Sequence, residues 1–180
     1  MKPTSPELDD RQRAALARAR LLVLDVDGTL TDGKVVYDEE REQQRFCIRD
    51  GQGLAWLRET GIVLAWITGR GCEATHRRAA DCGVAHLFTH SGPKGPVLER
   101  LQEELGITAS ETVAMGDDLP DLALAERAAF FAAPADAREE LRRRADLVCA
   151  SRGGDGAVRE LAERILRARG RWAAILEASR

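Results

Sequence analysis

Lysine is nearly missing from this 180-residue chain: of 27 basic residues only Lys2, Lys34 and Lys94 are lysines, and the rest are arginines. A basic surplus is missing as well. The formal net charge is −3, which offers no cationic surface to nucleic acid or to an anionic membrane. No apolar stretch approaches the length that crosses a bilayer, and the N-terminal residues lack the apolar core of a signal peptide. A cytoplasmic location is therefore expected. Cys47, Cys72, Cys82 and Cys149 are scattered without Cys-x-x-Cys spacing, which points to neither zinc nor a disulfide framework. His76, His86 and His90 fall on different predicted elements without ligand spacing, so they read as surface residues. Repeats, low-complexity tracts and dividing linkers are also missing, and 1–180 reads as a single domain. With 44% hydrophobic and 32% charged residues, the composition is that of a soluble globular protein with a proper core.

What is present is an alternation. A helix is predicted over 6–20, with Ser5 as cap and Pro6 at the first helical position. A strand follows at 21–26. Residues 34–38 and 43–48 flank the charged turn Glu-Glu-Arg-Glu and predict a β-hairpin projecting from the body. Helices near 51–60, 72–82, 94–105, 119–127 and 135–144 then alternate with strands at 62–67, 86–88, 112–115, 129–132 and 147–149. The tail 156–179 reads as helical with a break at Gly170, and Trp172, Ile175 and Leu176 fit a buried stripe. Nearly continuous apolar strands between helices predict an α/β fold, a Rossmann-like three-layer sandwich with a mostly parallel sheet. The insertion after the first strand is only a hairpin, too short to be a cap domain.

Residues 21–33, Leu-Leu-Val-Leu-Asp-Val-Asp-Gly-Thr-Leu-Thr-Asp-Gly, carry the strongest signal. They deliver Asp25 and Asp27 to the end of a buried strand, where two carboxylates are costly unless something neutralises them. A divalent cation such as Mg²⁺ would do so, and an acidic turn is the equally simple alternative for this pair alone. Three later strand ends bear on the choice. Thr68-Gly69-Arg70 offers a hydroxyl, free backbone N–H groups and a guanidinium, a sensible anion cradle, although such a triplet is often just a turn. Lys94 opens a helix, where it is either a solvated residue or, given its rarity here, a specific one. Gly116-Asp117-Asp118-Leu-Pro-Asp121 is a second carboxylate cluster, in which Asp118 or Asp121 could simply cap a helix. In chain order, each after a strand, they assemble a phosphoryl-transfer site. A carboxylate attacks phosphorus, a cation and a lysine offset the charge, and the second aspartate moves the proton.

The pattern resembles the haloacid dehalogenase-like phosphatases at all four of their signature positions. The resemblance implies Asp25 as nucleophile and Asp27 as general acid/base. It implies that Thr68 and Lys94 bind the phosphoryl group, and that Asp25, the backbone carbonyl of Asp27, and Asp117 bind Mg²⁺, with Asp118 and Asp121 in support. Between about residues 21 and 160 the chain is similar to the capless 3-deoxy-D-manno-octulosonate 8-phosphate phosphatases. The shared runs are Phe46-Cys-Ile-Arg49-Asp50-Gly51, Ile67-Thr-Gly-Arg70, Gly116-Asp-Asp-Leu-x-Asp and Gly153-Gly-Asp-Gly-Ala-Val-Arg-Glu160. That branch implies substrate contacts from Cys47, Ile48, Arg49, Asp50, Gly51, Gly69, Arg70 and Arg78. It also implies a homotetramer built through the hairpin, in which a neighbouring subunit completes each active site. Guanidinium groups suit a sugar-acid phosphate, which presents both carboxylate and phosphate. The chain departs from the pattern at Cys47 (usually Asn), Ala55 (Arg in some members) and Asp155 (often Arg). A related branch acts on nine-carbon 9-phosphates. Arg70 and Arg49-Asp50-Gly51 favour the eight-carbon substrate, and Asp155 leans the other way. A broad sugar phosphatase and a non-catalytic oligomerisation module are the remaining readings.

Overall fold

The computed structural model describes residues 7–39 and 41–179. Six parallel strands form its centre: β1 (Leu21–Leu24), β4 (Val63–Ile67), β5 (His86–Phe88), β6 (Thr112–Met115), β7 (Phe130–Ala133) and β8 (Leu147–Val148). Their spatial order is β5-β4-β1-β6-β7-β8. Renumbered without the hairpin this is 3-2-1-4-5-6, the doubly wound order in which the chain reverses direction across the sheet between its first and fourth strands. The ends of β1 and β6 thus flank the crevice where such folds bind ligands.

Side-chain alternation divides the core into two layers, one on each face of the sheet. Leu22, Leu24, Leu64, Trp66, Val113 and Met115 face a cluster with α1 (Asp10–Ala17), α2 (Ile48–Glu59) and α7 (Ala157–Ala168). Leu21, Val23, Ala65, Ile67 and Ala114 face Leu98 and Leu101 of α4 (Lys94–Leu105), Leu124 of α5 (Leu122–Ala125) and Leu141 of α6 (Glu139–Arg144). All four β1 side chains are fully buried, as their continuous apolar run requires. Helix α3 (Glu73–Cys82) ends at Gly83 in the left-handed conformation, and its Ala79 and Cys82 join the first of these clusters.

Several boundaries differ from the sequence reading, each for a local reason. The first helix begins at Asp10, because Asp9 and Gln12 form a reciprocal capping box; Ser5 and Pro6 lie outside the described residues. The hairpin strands are β2 (Val36–Asp38) and β3 (Arg41–Gln43), with Asp38 opposite Arg41, so β3 begins inside the segment read as a turn. Residues 44–47 leave the ladder because the Gln44 side chain turns towards Asp27 and α3. The helix expected over 119–127 begins as a 3₁₀ turn, Leu119–Asp121, with Pro120 in its first turn, and only then becomes α5. The helix expected over 135–144 is shortened to α6, because Asp136 is held by Gly153 N and Arg152, while Ala135 N donates to Ser151 O. The tail breaks at Gly170 as expected, and α8 (Trp172–Ala178) follows. Its stripe is shallower than predicted. Trp172 meets Trp56 edge-on at 5.7 Å and is half-buried, whereas Leu176 is 48% exposed.

Candidate active site

Asp25 immediately follows β1, its backbone N–H bonded to Met115 O at 3.0 Å. The chain then wraps tightly, with the N–H groups of Thr29, Leu30 and Thr31 all converging on Val26 O. Gly28 has φ +95°, and a Cβ there would lie 2.2 Å from the Asp117 carboxylate, so glycine is what lets Asp117 close on the β1 turn. Across that gap Thr29 Oγ1 donates to Asp117 Oδ1 at 3.3 Å. Gly153 is equally constrained, since a Cβ would collide with Gly28 O at 1.7 Å. The glycine-rich tail segment is therefore packed against the turn that carries the two aspartates.

Lys94 opens α4 and reaches beneath this turn. Its Nζ donates to Asp25 Oδ1 at 2.5 Å and to Asp121 Oδ1 at 2.6 Å, and all three side chains are at most 7% exposed. The other oxygen of Asp121 accepts the backbone N–H groups of Asp117 (3.0 Å) and Asp118 (3.2 Å). Asp121 thus fixes both the lysine and the loop. The Asp118 side chain is exposed and caps the 3₁₀ turn through Leu119 N, so its contribution to the site comes from its backbone. Asp27 sits apart from the lysine. Its Oδ2 accepts from Thr68 Oγ1 at 3.1 Å and its Oδ1 from Gln44 Nε2 at 2.8 Å. Thr68 Oγ1 in turn accepts the N–H of Arg70.

Three carboxylates share one ammonium here. Burial, then the negative charge of Asp121, pushes the Asp25 carboxyl well above the usual carboxylate range in spite of Lys94. Burial and Asp121 likewise push Asp117 up to about 6. For Lys94, burial alone would favour the neutral amine, but the charges of Asp25 and Asp121 prevail and hold it protonated. The cluster is short of positive charge. Carboxylate oxygens of Asp25, Asp117 and Asp121 lie within 4.8 Å of one another, a donor set suited to a hard divalent cation. Asp121 already spends both oxygens on Lys94 and on backbone N–H groups. Asp25 and Asp117 are therefore the residues placed to hold the ion.

A pH dependence follows. In the unfolded chain Asp117 ionises near its ordinary 3.8, whereas in the fold it does so at about 6. Without a cation its contribution is fully present below about pH 4 and is lost as the pH rises to about 6, because ionising the buried group costs free energy. In chelator, Asp117→Asn is expected to gain thermal stability over the parent across that window and to hold the gain above it. A saturating divalent cation reverses the order, since it binds the parent's ionised carboxylates; at about 100-fold excess over Kd the parent gains about 2.7 kcal/mol. Thermal melts of both proteins from pH 4 to 8, with and without metal, measure this directly.

The expected substrate-binding residues divide into two groups. Thr68 and Lys94 converge with the aspartates, and Gly69 and Arg70 follow Thr68 on the same exposed turn. Arg70 is paired with Glu42 of the hairpin at 2.8 Å. Cys47, Ile48, Arg49, Asp50 and Gly51 form the start of α2. Ile48 is 82% exposed, and Arg49 pairs with Asp155 of the tail at 3.1 Å. Asp50 is buried; it accepts Arg159 N at 2.7 Å and caps α7, a helix whose own leading residue, Gly156, has no side chain to do so. Arg78 lies against Gly51 and donates to Cys47 O at 3.0 Å, which ties α3 to α2. Sequence reasoning missed Thr29 and Gln44. The first belonged to a motif already singled out, and the second had no signal beyond a polar side chain beside the hairpin.

A doubly wound sheet whose switch point holds an Asp-x-Asp turn, a buried lysine and a second aspartate cluster is the arrangement of a phosphoryl-transferring enzyme of the α/β class. The haloacid dehalogenase-like hydrolase family matches residues 79–161. The 3-deoxy-D-manno-octulosonate 8-phosphate phosphatase KdsC of Escherichia coli is 38% identical over 153 residues, 84% of this chain and 81% of that protein. The crystal structure of the Moraxella catarrhalis 3-deoxy-D-manno-octulosonate 8-phosphate phosphatase, in complex with magnesium, phosphate and KDO, superposes with a TM-score of 0.92. It is 35% identical, with 95% of this chain and 99% of that chain covered. The cobalt-bound Haemophilus influenzae deoxy-D-mannose-octulosonate 8-phosphate phosphatase gives 0.86 at 34% identity, with 89% of this chain and 94% of that chain covered. The chain belongs to the haloacid dehalogenase-like hydrolases, grouping with these octulosonate phosphatases in sequence and structure, and it is a phosphatase. Its cluster of Asp25, Asp117 and Asp121 carboxylates is a donor set of the kind that holds a divalent cation. No helix among the described residues is long and apolar enough to cross a membrane.

Proposed function

We propose that this phosphatase hydrolyses 3-deoxy-D-manno-octulosonate 8-phosphate to the free sugar acid and phosphate, with Mg²⁺, in the cytoplasmic synthesis of lipopolysaccharide precursors. The observation that carries the chemistry is Asp25, held at the switch point by Lys94 and within ligand reach of Asp117. In this reading a carboxylate oxygen of Asp25 forms a bond to phosphorus while the bond to the sugar oxygen breaks, leaving an aspartyl phosphate. Asp27 gives its proton to the departing oxygen, then takes one from the water that hydrolyses the acyl phosphate. Lys94 offsets charge on the phosphoryl oxygens, and Thr68 can donate to one of them. Bound Mg²⁺, held by Asp25, Asp117 and the Asp27 carbonyl, would supply further charge neutralisation at phosphorus.

The substrate assignment draws on the relatives and on three arginines. Arg49, Arg70 and Arg78 are each satisfied by a protein partner, but in the Arg49–Asp155 and Arg70–Glu42 pairs the arginine side chains stay 63% and 45% exposed. The Arg49–Asp155 pair is exposed on both sides and worth little, so a substrate carboxylate can replace Asp155 at small cost. A second reading, the nine-carbon 9-phosphates, is favoured by the acidic Asp155 itself, which pairs with Arg49 at 3.1 Å in the tail. We further propose a homotetramer. The exposed apolar side chains Val36 and Tyr37 on the hairpin, and Ile48 at the start of α2, support a neighbouring subunit covering this face.

Phosphate release with Mg²⁺ from the eight-carbon 8-phosphate, nine-carbon 9-phosphates and simple sugar phosphates tests the assignment, alongside a sizing measurement. A kcat/KM at least about tenfold higher for the 8-phosphate is expected, a margin of about 1.4 kcal/mol in transition-state binding. Equal rates across the panel would indicate a broad phosphatase, and no turnover by a folded tetramer would revive the oligomerisation-module reading.

A further inference from the structure

We infer that Gln44 is a positioning residue for Asp27, assigning the transferable proton to the carboxyl oxygen that faces Thr68. The amide nitrogen of Gln44 donates to Asp27 Oδ1 at 2.8 Å. The orientation of that amide is itself fixed. Its oxygen accepts from Thr75 Oγ1 at 2.7 Å and from Cys72 Sγ at 3.3 Å, both from α3 and its leading residue. Thr75 is 1% exposed, so its hydroxyl has no water to turn to, and reversing the Gln44 amide would point its oxygen at the Asp27 carboxylate.

An amide nitrogen can only donate. Asp27 Oδ1 is consequently committed as an acceptor and cannot carry a proton towards Gln44. Thr68 Oγ1, on the other side, is a hydroxyl that can donate or accept, so Oδ2 tolerates both protonation states. The carboxyl that must exchange a proton with the departing oxygen therefore does so through Oδ2, beside the turn that the phosphoryl group approaches. Gln44 comes from the segment just after β3, which explains why the chain leaves the hairpin ladder there.

This inference rests on Asp27 acting as general acid, and the experiment separates the two. Gln44→Met removes the donor at similar length, and Gln44→Glu removes it while keeping the shape. Each is compared with the parent by kcat/KM on two substrates with Mg²⁺: the sugar 8-phosphate, whose alkoxide must be protonated as it leaves, and 4-nitrophenyl phosphate, whose phenoxide need not be. Both variants are expected to lose about tenfold or more on the sugar phosphate and less than about threefold on the aryl phosphate, a fraction of what general acid catalysis supplies. Equal losses on the two substrates would mark Gln44 as merely structural and overturn the inference. So would no loss on either. Asp27→Asn is the reference: if it shows no leaving-group dependence, Asp27 is not the acid and that reading fails; if it shows one that both Gln44 variants lack, only the role of Gln44 fails.

Discussion

Asp25→Asn is expected to abolish turnover, by at least about 10⁴-fold in kcat, while the metal-free protein at pH 8 melts at a higher temperature than the parent. Both halves come from the same geometry. An amide cannot attack phosphorus and leave an aspartyl phosphate, and the other carboxylate against Lys94, that of Asp121, has both oxygens engaged. Asp27 faces Thr68 and Gln44 instead, and Asp121 is occupied by the lysine and two backbone N–H groups. The stability half follows from burial. Because the Asp25 carboxyl ionises well above the usual carboxylate range, first through desolvation and then through Asp121, the folded state is penalised for ionising it as the pH rises. The neutral amide removes that penalty and can still accept from Lys94. The gain should fade as the pH falls towards the range where the unfolded chain also binds the proton. Activity assays with Mg²⁺ and melts in chelator separate the two effects.

Lys94→Met should do the opposite to stability. It leaves Asp25 and Asp121 buried, at 7% and 2% side-chain exposure, without the ammonium they share. Removing one member of a buried ion pair costs about 3–5 kcal/mol, because the remaining charges lose their compensation. The loss should grow as the pH rises, because the Asp25 carboxyl, already pushed up by burial, must then ionise without Lys94 beside it. Excess Mg²⁺ should restore part of the stability by supplying charge to the same cluster. It should not restore the rate, which is expected to fall by about 10²–10³-fold, the usual consequence of removing one preorganised stabilising group. Urea unfolding at two pH values and steady-state kinetics measure these effects. An unchanged midpoint at pH 8 would mean that the Asp25–Lys94–Asp121 arrangement contributes nothing to stability.

The contrast between Lys94 and Gln44 shows what the sequence makes legible. Lys94 stood out as one of three lysines in an arginine-dominated chain, at the start of a helix that follows a strand. Asp25, Asp27, Thr68 and Asp117 were visible because each follows an apolar strand at a turn, and such strand ends meet at one rim of a parallel sheet. Gln44 had no such frame. It lies in a polar stretch after a short, exposed hairpin, where neither period two nor period 3.6 operates, and its partners Thr75 and Cys72 belong to no motif that would point to it. Asp50 is a different case. Its place in a shared run implies a substrate contact, and the structure adds a second task that the run does not announce: its buried carboxylate accepts Arg159 N and caps α7, far along the chain. A helix led by Gly156 in the left-handed region needs a cap from elsewhere, and local sequence cannot say from where. The helix boundaries at 119 and 135 moved for a related reason: Asp121 and Asp136 bond backbone N–H groups of the loops around the site, which overrides helical propensity there.

The central claim is that Asp25 takes the phosphoryl group covalently. A single turnover of the sugar 8-phosphate with Mg²⁺, quenched in acid and mapped by peptide mass spectrometry, tests it most directly. One phosphoryl group is expected on the peptide containing Asp25, forming and decaying at rates consistent with kcat and not accumulating in Asp25→Asn. Full turnover by the parent with no phosphopeptide at any time in the reaction, or with the phosphoryl group on another residue, would contradict it.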